Sequence, residues 1–419
     1  MRSVKVRMLL ALALLLIGSI IMAASRPHLF RAGPELKPMP GGIPDSYFGM
    51  TAHNYRTTTP WPSIPFASLR TWDTEVNWAD IQPAPNTFLW SNLDALIALA
   101  QKRGVDLIFT LGRTPRWASV SPDTKSPYGP GQCAPPANIQ FWDEFLRAVV
   151  NHAGDKIRFW ETWNEPQDSE FYCGDVSTMV QLQQRTYEVI KSIDPGAMIL
   201  TPSAVGGYGA PWMSRFLAGG GGKFADIMAF HGYLAPNADA EAIIDTIAEF
   251  KAVFAEHGQG TKPVWDTEAG WGQNSWLSDP DLQAAFLAKF YLLHWSAGVE
   301  RFYWYAYDNG IWGTLWDAKN GLHKAGVAYR EVHRWMQGAT MPTPCALNRE
   351  VWTCALVREN GYRATVHWTS AKSPASAIHI SVPAEFKQYR DLDGNLQKVQ
   401  HDGVLVSNKP ILVETMSAF

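Results

Sequence analysis

Short apolar runs alternate with longer amphipathic stretches along most of the chain. The runs are rich in β-branched and aromatic residues, whereas the stretches between most of them repeat apolar residues every three or four positions. This pattern predicts buried strands alternating with helices, and hence a parallel sheet covered by helices. Eight runs fit it: YFGMTA (47–52), SLRTW (68–72), VDLIFTL (105–111), IRFWETW (157–163), AMILTP (197–202), DIMAFHGY (226–233), KPVWDTE (262–268) and RFYWYAY (301–307).

The number of these runs predicts the fold. Eight strands within about 290 residues are typical of a closed (β/α)8 TIM barrel, here over residues 43–337. An open doubly wound sheet is the alternative, but it usually has fewer strands and a glycine fingerprint after the first one. The glycine-rich pieces VGGYGAP and AGGGGKF have neither dinucleotide nor P-loop spacing. After Gly338 the strands become short, alternating and separated by turns, which predicts a small all-β sandwich domain over residues 338–419.

The N-terminus carries a targeting signal. The basic segment MRSVKVR precedes an unbroken apolar run at 8–24, and the small residues Ala23 and Ser25 suit a cleavage site. We predict a signal peptide over residues 1–25 and a linker over 26–42. An N-terminal anchor is the alternative, because the run is near the length of a membrane span. Either reading predicts a secreted or periplasmic protein with no further membrane contact.

Composition and cysteine spacing agree with that compartment. Apolar residues make up 46% of the chain and charged residues 18%, so a sizeable core is expected. The net charge of −3, without a long basic run, gives no sign of a nucleic-acid-binding surface.

Cys345 and Cys354 flank a predicted hairpin and would pair locally. This leaves a disulfide from Cys133 to Cys173, worth roughly 3–4 kcal/mol in the chain-entropy model. Metal binding is the alternative, but no C-x-x-C or nearby histidine pattern supports it.

Carboxylates cluster at the ends of the predicted strands, where the active site of a TIM barrel lies. The chain has no G-x-S-x-G, no H-E-x-x-H and no paired histidines at these ends, so we predict neither a metal ion nor a cofactor. Two carboxylates in an aromatic-walled cleft can hydrolyse a glycosidic bond without either. The 19 tryptophans supply flat faces that suit sugar rings as well as cores.

Glu165 and Glu268 are the best-placed pair. Glu165 follows the fourth strand and Glu268 ends the seventh, so the two can face each other across the barrel mouth. Glu161 lies about 13 Å back along the same strand as Glu165, too far to be its partner. Asp266 is expected on the same face as Glu268 but about 7 Å deeper, which makes it a weaker candidate.

These segments resemble a known family. WNEP after the fourth strand and VWDTEAGW at the seventh are similar to the acid/base and nucleophile strands of clan A (4/7) retaining glycoside hydrolases. The stretch SLRTWDTEVNWADIQPAPNTFLWSNLDALIALAQKRGV and the appended β-domain are most like family 39, of the β-xylosidase and exopolysaccharide hydrolase type. The resemblance implies a secreted retaining β-glycosidase, expected to be a monomer, that cleaves an extracellular poly- or oligosaccharide by double displacement. The alternatives are a transglycosidase with the same site and a non-catalytic polysaccharide-binding barrel.

The resemblance also implies roles for single residues. Glu165 would be the general acid/base and Glu268 the nucleophile, while Asn164 would bind the sugar 2-hydroxyl. The other residues expected to hold the nucleophile or contact the substrate are Arg70, Tyr233, His53, His231, Trp304 and Trp271.

Several of these residues have structural alternatives. Arg70 and Tyr233 would keep Glu268 ionised, but Arg70 could instead be an ion pair with Glu161 inside the barrel. Trp304 would stack under the sugar or else pack in the core. The two histidines would contact hydroxyls or carboxylates, or would be ordinary packed side chains.

Overall fold

A computed structural model describes residues 36–55, 57–370, 377–401 and 403–415 of the chain. The predicted signal peptide and the first residues of the predicted linker lie outside these ranges. None of the helices within them has the length and apolar character needed to cross a membrane.

Parallel strands form the central sheet of the described chain. In sheet order, β5-β4-β3-β2-β1-β9-β8-β7-β6, each strand pairs with its neighbours. Their bounds in chain order are β1 (Phe48–Met50), β2 (Ser68–Arg70), β3 (Asp106–Thr110), β4 (Phe159–Glu161), β5 (Met198–Leu200), β6 (Ala204–Val205), β7 (Met228–His231), β8 (Val264–Ala269) and β9 (Arg301–Trp304).

The two ends of this sheet meet, so the predicted barrel fold is confirmed. The fifth predicted strand, at residues 197–202, contains β5, which pairs with β4, and the short strand β6 that follows it pairs with β7. Leu200 forms an isolated parallel bridge with Ile227, and the Thr201 amide donates to the Ile227 carbonyl at 3.1 Å. Leu200 and Ile227 belong to a buried cluster, with Trp265 and Tyr303, that fills the barrel interior as the inward-facing side chains of such barrels do.

Helices surround the sheet and begin and end at residues that suit helix termini. Asp279 accepts hydrogen bonds from the amides of Asp281 and Leu282 and precedes Pro280 at the start of α7, while Gly104 ends α2 in the left-handed conformation. Their bounds are α1 (Trp78–Ile81), α2 (Ser91–Arg103), α3 (Ile139–Ala153), α4 (Val176–Ile193), α5 (Gly206–Ala218), α6 (Ile243–Glu256), α7 (Pro280–Ser296) and α8 (Lys324–Met336).

Antiparallel strands follow the barrel. A short hairpin, β10 (Trp316–Asp317) with β11 (Gly321–Leu322), lies in the loop after β9. The C-terminal strands form one sheet in the order β12-β13-β14-β19-β16-β17 and a second sheet of β15 and β18. Their bounds are β12 (Ala346–Asn348), β13 (Val351–Val357), β14 (Arg363–Thr369), β15 (Ile378–Ile380), β16 (Gln388–Arg390), β17 (Leu396–Lys398), β18 (Val404–Val406) and β19 (Ile411–Glu414).

Contacts and disulfides fix this region and the barrel loops. Val406 of β18 and Val413 of β19 belong to one buried cluster, so the two sheets share a core. The Trp368 indole N–H donates to Glu241 Oε1 of the barrel at 2.7 Å. Both predicted disulfides form: Cys345–Cys354 beside β13, and Cys133–Cys173, which joins the loops that follow β3 and β4.

Candidate active site

Arg70 lies at the centre of a buried polar cluster at the carboxyl ends of the strands. Its Nε donates to Glu161 Oε2 at 2.7 Å, its Nη1 to Glu268 Oε2 at 2.6 Å and its Nη2 to Asn164 Oδ1 at 2.8 Å. The guanidinium is fully buried. The two roles considered for Arg70 therefore coexist: it pairs with Glu161 inside the barrel and holds Glu268 at the mouth.

Glu161 lies below the cleft and is fully hydrogen-bonded. Oε2 accepts from Thr110 Oγ1 at 2.7 Å, and Oε1 accepts from Thr267 Oγ1 at 2.7 Å and from Ser203 Oγ. Hydroxyl donors and the Arg70 guanidinium thus satisfy both oxygens of this buried carboxylate. Glu161 thus supports Arg70 from below, as expected of a residue too deep to react.

Glu268 is held by two donors at the end of β8. Besides the bond from Arg70 to Oε2, its Oε1 accepts from the Tyr233 hydroxyl at 3.0 Å. The pKa of Glu268 is raised to about 7, and burial is the main cause. Arg70 and the Tyr233 hydrogen bond lower this pKa, whereas the charge of Asp73 raises it. Arg70 and Tyr233 therefore favour the ionised form of Glu268.

Asp266 does not share a face with Glu268, and that expectation is wrong. The register between β8 and β9 shifts between Asp266 and Ala269, which interrupts the alternation of side chains. The Asp266 carboxylate instead pairs with His294 Nε2 of α7 at 2.8 Å. It also accepts hydrogen bonds from the backbone N–H groups of Glu268 at 3.2 Å and Gly232 at 3.1 Å. Asp266 thereby ties the backbone of Glu268 to the residue before Tyr233.

Glycine is required at position 232 by this arrangement. A Cβ on Gly232 would lie 2.2 Å from Asp266 Oδ2 and 2.9 Å from Ile243 Cδ1, both far inside van der Waals contact. The close approach lets the carboxylate reach the Gly232 amide.

Glu165 approaches Glu268 from the loop after β4. Its backbone N–H donates to the Ser203 carbonyl at 2.9 Å, and its φ of 42° lies in the left-handed region, which turns the side chain toward the mouth. His231 Nδ1 lies 2.7 Å from Glu165 Oε1. One carboxylate oxygen of Glu165, one of Glu268 and a ring nitrogen of His231 all lie within 4.8 Å of one another.

The two glutamates differ in their electrostatic surroundings. Burial and the neighbouring Glu268 raise the pKa of Glu165 well above its ordinary value. Burial and Arg70 lower the pKa of His231, so the imidazole is neutral at pH 7 and supplies no counter-charge. With Arg70 bound directly to Glu268, a proton retained by the pair resides on Glu165.

The same three side chains have the spacing of a possible metal site. Their ligand atoms lie close enough to bind one cation. Both oxygens of Glu268, however, already accept hydrogen bonds from Arg70 and Tyr233. These hydrogen bonds to Glu268 fit a reacting pair of carboxylates better than a bound metal ion.

The prediction that Trp304 stacks under a sugar is wrong. Its indole is fully buried, contacts Trp271 at 5.1 Å between ring centroids and donates to the Gly313 carbonyl at 2.7 Å. Side chains alternate along β9, so Tyr303 points into the barrel and Trp304 toward the helices. Trp271 is also buried and lies with Trp304 rather than beside the carboxylates.

Tyr305 occupies the place expected of Trp304. Its hydroxyl donates to Asp73 Oδ2 at 3.3 Å, and its ring lies 5.2 Å from that of His53. Burial raises the pKa of Tyr305, and the negative charges of Asp73 and Glu268 raise it further. The period-two alternation of a strand that contains Trp304 was the signal that could have identified Tyr305 in the sequence.

Comparisons with known proteins point to one group. A family model described as glycosyl hydrolase catalytic core matches residues 134–329. A beta-xylosidase of Geobacillus stearothermophilus is 30% identical over 108 residues, which cover 24% of this chain and 21% of that protein. The chain thus spans about a fifth of the length of this curated relative.

Solved structures agree in fold. A family 39 glycoside hydrolase from Bacteroides cellulosilyticus superposes with a TM-score of 0.71 at 19% identity, covering 88% of this chain and 82% of that one. A monomeric beta-xylosidase from Caulobacter crescentus gives 0.68 at 16% identity, covering 90% and 98%. A family 30 endoxylanase from Clostridium papyrosolvens gives 0.61 at 11% identity, covering 91% and 98%. The resemblance found in the sequence is confirmed at this level: residues 134–329 match a glycosyl hydrolase catalytic core, and the chain shares its fold with a family 39 glycoside hydrolase and a family 30 endoxylanase.

Proposed function

We propose that the protein is a retaining β-glycosidase in which Glu165 is the general acid/base and Glu268 the nucleophile. The observation that carries this proposal is the approach of the two carboxylates to within 4.8 Å in unlike surroundings. Retaining enzymes place their carboxyl groups about 5–5.5 Å apart, whereas inverting enzymes leave about 6.5–9.5 Å for a water molecule. The approach of one oxygen of Glu165 to one oxygen of Glu268 within 4.8 Å supports the shorter separation.

The surroundings of each carboxylate suit one step of the reaction. Glu268, held ionised by Arg70 and Tyr233, attacks the anomeric carbon while Glu165 gives its proton to the leaving oxygen. The attack neutralises the charge of Glu268, so the pKa of Glu165 falls. Glu165 can then remove a proton from the water that releases the sugar, which returns both groups to their starting states.

The stereochemistry of the first product tests this mechanism. We expect a β-glycoside to yield the β-anomer first, observed by proton NMR within the first minutes of reaction, before mutarotation. A panel of aryl β-glycosides of xylose, glucose, galactose and N-acetylglucosamine supplies the substrate. An α-anomer as first product would contradict the retaining mechanism.

The substrate and compartment form the finer part of the proposal. The beta-xylosidases among the relatives support a β-linked poly- or oligosaccharide as substrate. Two disulfides and the apolar N-terminal run support a location outside the cytoplasm. The description of the Caulobacter crescentus enzyme as monomeric supports a monomer.

The pH dependence of kcat/KM follows from the two raised pKa values. Protonation removes the nucleophile, so activity falls as the pH drops through the pKa of Glu268, raised to about 7. It falls again in alkali as Glu165 loses its proton. Tyr233→Phe removes a donor that stabilises ionised Glu268, so we expect the acid limb to move upward by about half a unit to one unit.

Tyr208→Phe is the matched control for this measurement. Tyr208 lies in the first turn of α5 with 78% of its surface exposed, and among the described residues no hydrogen bond joins its hydroxyl to Glu165 or Glu268. Its pH profile should coincide with that of the wild type. An acid limb that stays in place, or moves to lower pH, in Tyr233→Phe would refute the hydrogen bond's role in holding Glu268 ionised.

A further inference from the structure

Four polar side chains form one wall at the mouth of the barrel. His53 follows β1 and Asp73 follows β2, while Tyr305 and Asn309 follow β9. These strands are neighbours in the sheet, in the order β2-β1-β9, so their carboxyl ends bring the four side chains to one part of the mouth. Asn309 Nδ2 lies 3.4 Å from His53 Nδ1. All four residues are partly exposed, and 24% of the Asp73 side chain is open to solvent.

This polar wall is tied to the nucleophile on two sides. The backbone N–H of Tyr305 donates to the carbonyl of Ala269, the residue after Glu268, at 3.0 Å. Asp73 lies three positions after Arg70, whose Nη1 donates to Glu268 Oε2 at 2.6 Å. The negative charge of Asp73 raises the pKa of both catalytic glutamates, in agreement with this position. A sugar whose anomeric carbon lies at Glu268 therefore has the polar wall beside it.

The hydrogen bonds along the wall run in one direction. Asn309 Oδ1 accepts from the backbone N–H groups of Ile311 at 3.1 Å and Trp312 at 2.9 Å, which fixes the orientation of the amide. Asn309 Nδ2 donates to the Tyr305 hydroxyl at 3.5 Å, and that hydroxyl donates to Asp73 Oδ2 at 3.3 Å. Because a carboxylate can only accept, the chain of hydrogen bonds ends at Asp73.

Asp73 retains capacity to accept further hydrogen bonds. A carboxylate has about four lone-pair sites, and within the described ranges the Tyr305 hydroxyl is the one donor at hydrogen-bond distance. Arg113 Nη1 lies 3.8 Å from Asp73 Oδ1, which is longer than a hydrogen bond, and Arg113 Nη2 donates to Asp80 Oδ2 at 3.2 Å. Arg113 thus offsets part of the charge of Asp73 without occupying its lone pairs. Asp73 Oδ1 is left to accept from a ligand.

The chemistry of the ligand follows from this acceptor. A sugar hydroxyl can donate to the carboxylate, and a hydrogen bond to a charged acceptor is stronger than one between neutral groups. A sugar carboxylate or sulfate at the same place would instead bring a like charge against Asp73. The group that meets Asp73 is therefore an uncharged hydroxyl.

We propose that Asp73 is a specificity-determining residue, whose carboxylate accepts a hydrogen bond from one hydroxyl group of the sugar bound at Glu268. The inference rests on the proposed function and deepens it, because it assigns part of the recognition of that sugar to a residue outside the catalytic pair. Asn164 is expected to bind the 2-hydroxyl, so the hydroxyl at Asp73 is carried by C3, C4 or C6.

Substrates that lack one hydroxyl identify the partner of Asp73. The wild type is assayed on aryl β-glycosides of xylose, glucose, galactose and N-acetylglucosamine. The glycoside that it cleaves best is then compared with its 3-deoxy and 4-deoxy analogues, and with the 6-deoxy analogue where the sugar has a 6-hydroxyl. The readout is the deoxygenation penalty, which is kcat/KM for the parent glycoside divided by kcat/KM for the analogue, measured for each protein.

Two variants of Asp73 and one control are compared in the full chain. Asp73→Ala removes the carboxylate, and Asp73→Asn keeps its shape and one oxygen without the charge. Asp123→Ala is the matched control, because Asp123 is an exposed aspartate in the loop after β3 that pairs with Arg116 Nη2 at 2.6 Å.

We expect the wild type to show a penalty of about 10- to 100-fold at one position of the sugar, which is the loss of a hydrogen bond to a charged group. In Asp73→Ala the penalty at that position should fall below about threefold, and in Asp73→Asn it should lie between these two values. The penalties at the other positions, and all penalties in Asp123→Ala, should stay within about twofold of the wild type.

Penalties that are the same in both Asp73 variants as in the wild type would overturn the proposal, because Asp73 would then contact no hydroxyl. A uniform loss on every glycoside, up to complete inactivity of both variants, would overturn it as well, since it would make the role of Asp73 structural. Both outcomes leave the proposed function standing. If the wild type cleaves none of the aryl glycosides, the proposed function fails and the assignment of Asp73 fails with it.

Discussion

Glu268→Ala should lower kcat for an aryl β-glycoside by at least about 10⁴-fold, because no other side chain can form the covalent intermediate. Added azide should restore turnover, since a small anion fits the space of the missing carboxylate. Its product should be the α-glycosyl azide, inverted relative to the substrate, as one displacement replaces two. Enzyme kinetics and NMR of the azide product measure both effects.

Glu268→Gln is the control for the fold. The amide keeps the shape of the carboxylate and an acceptor for Arg70, so its circular dichroism and thermal unfolding should match those of a folded wild type. It should be as inactive as Glu268→Ala, but azide should not rescue it because the space stays filled. Substantial activity in Glu268→Gln would refute the assignment of the nucleophile.

Glu165→Ala should have an effect that depends on the leaving group. For a phenyl or alkyl glycoside, which needs a proton on the departing oxygen, we expect kcat/KM to fall by about 10²–10⁴-fold. For a dinitrophenyl glycoside, the first step should be nearly unaffected, and KM should drop because the covalent intermediate accumulates. Azide should speed its release and yield the β-glycosyl azide, the opposite anomer to that formed by Glu268→Ala.

Glu170→Ala provides a matched control on the same loop. Glu170 lies five positions after Glu165, and its side chain is partly exposed. It should follow the wild type for every leaving group, and the alkaline limb of its pH profile should remain, whereas Glu165→Ala should lose that limb. Equal losses for phenyl and dinitrophenyl glycosides in Glu165→Ala would contradict the acid/base role.

The sequence predicted what depends on strand order and failed where local geometry departs from a regular strand. Glu165 and Glu268 meet because the ends of parallel strands in a barrel lie at one mouth, which eight apolar runs already imply. Asp266 was misplaced because a register shift in β8, after Asp266, turns Glu268 to a different face from Asp266, and no residue pattern marks that shift. Trp304 was misjudged by residue type alone, whereas the alternation along β9 favours Tyr305 at the mouth.

Long-range contacts were the other limit. Asp266 with His294, and Trp368 with Glu241, come from elements far apart in the chain. A single sequence gives no distance between such elements. Their chemistry therefore became visible only once the helices and the C-terminal sheets were placed around the barrel.

The bond from Arg70 to Asn164 gives the cleft a fixed hydrogen-bond polarity. Because the amide oxygen of Asn164 accepts from Arg70 at 2.8 Å, the orientation of the amide is fixed and its NH2 group is left to donate. A substrate hydroxyl that meets this NH2 group accepts from it and turns its own hydrogen toward a different acceptor. The cleft consequently distinguishes the direction in which a hydroxyl points its hydrogen, and not merely the position of its oxygen.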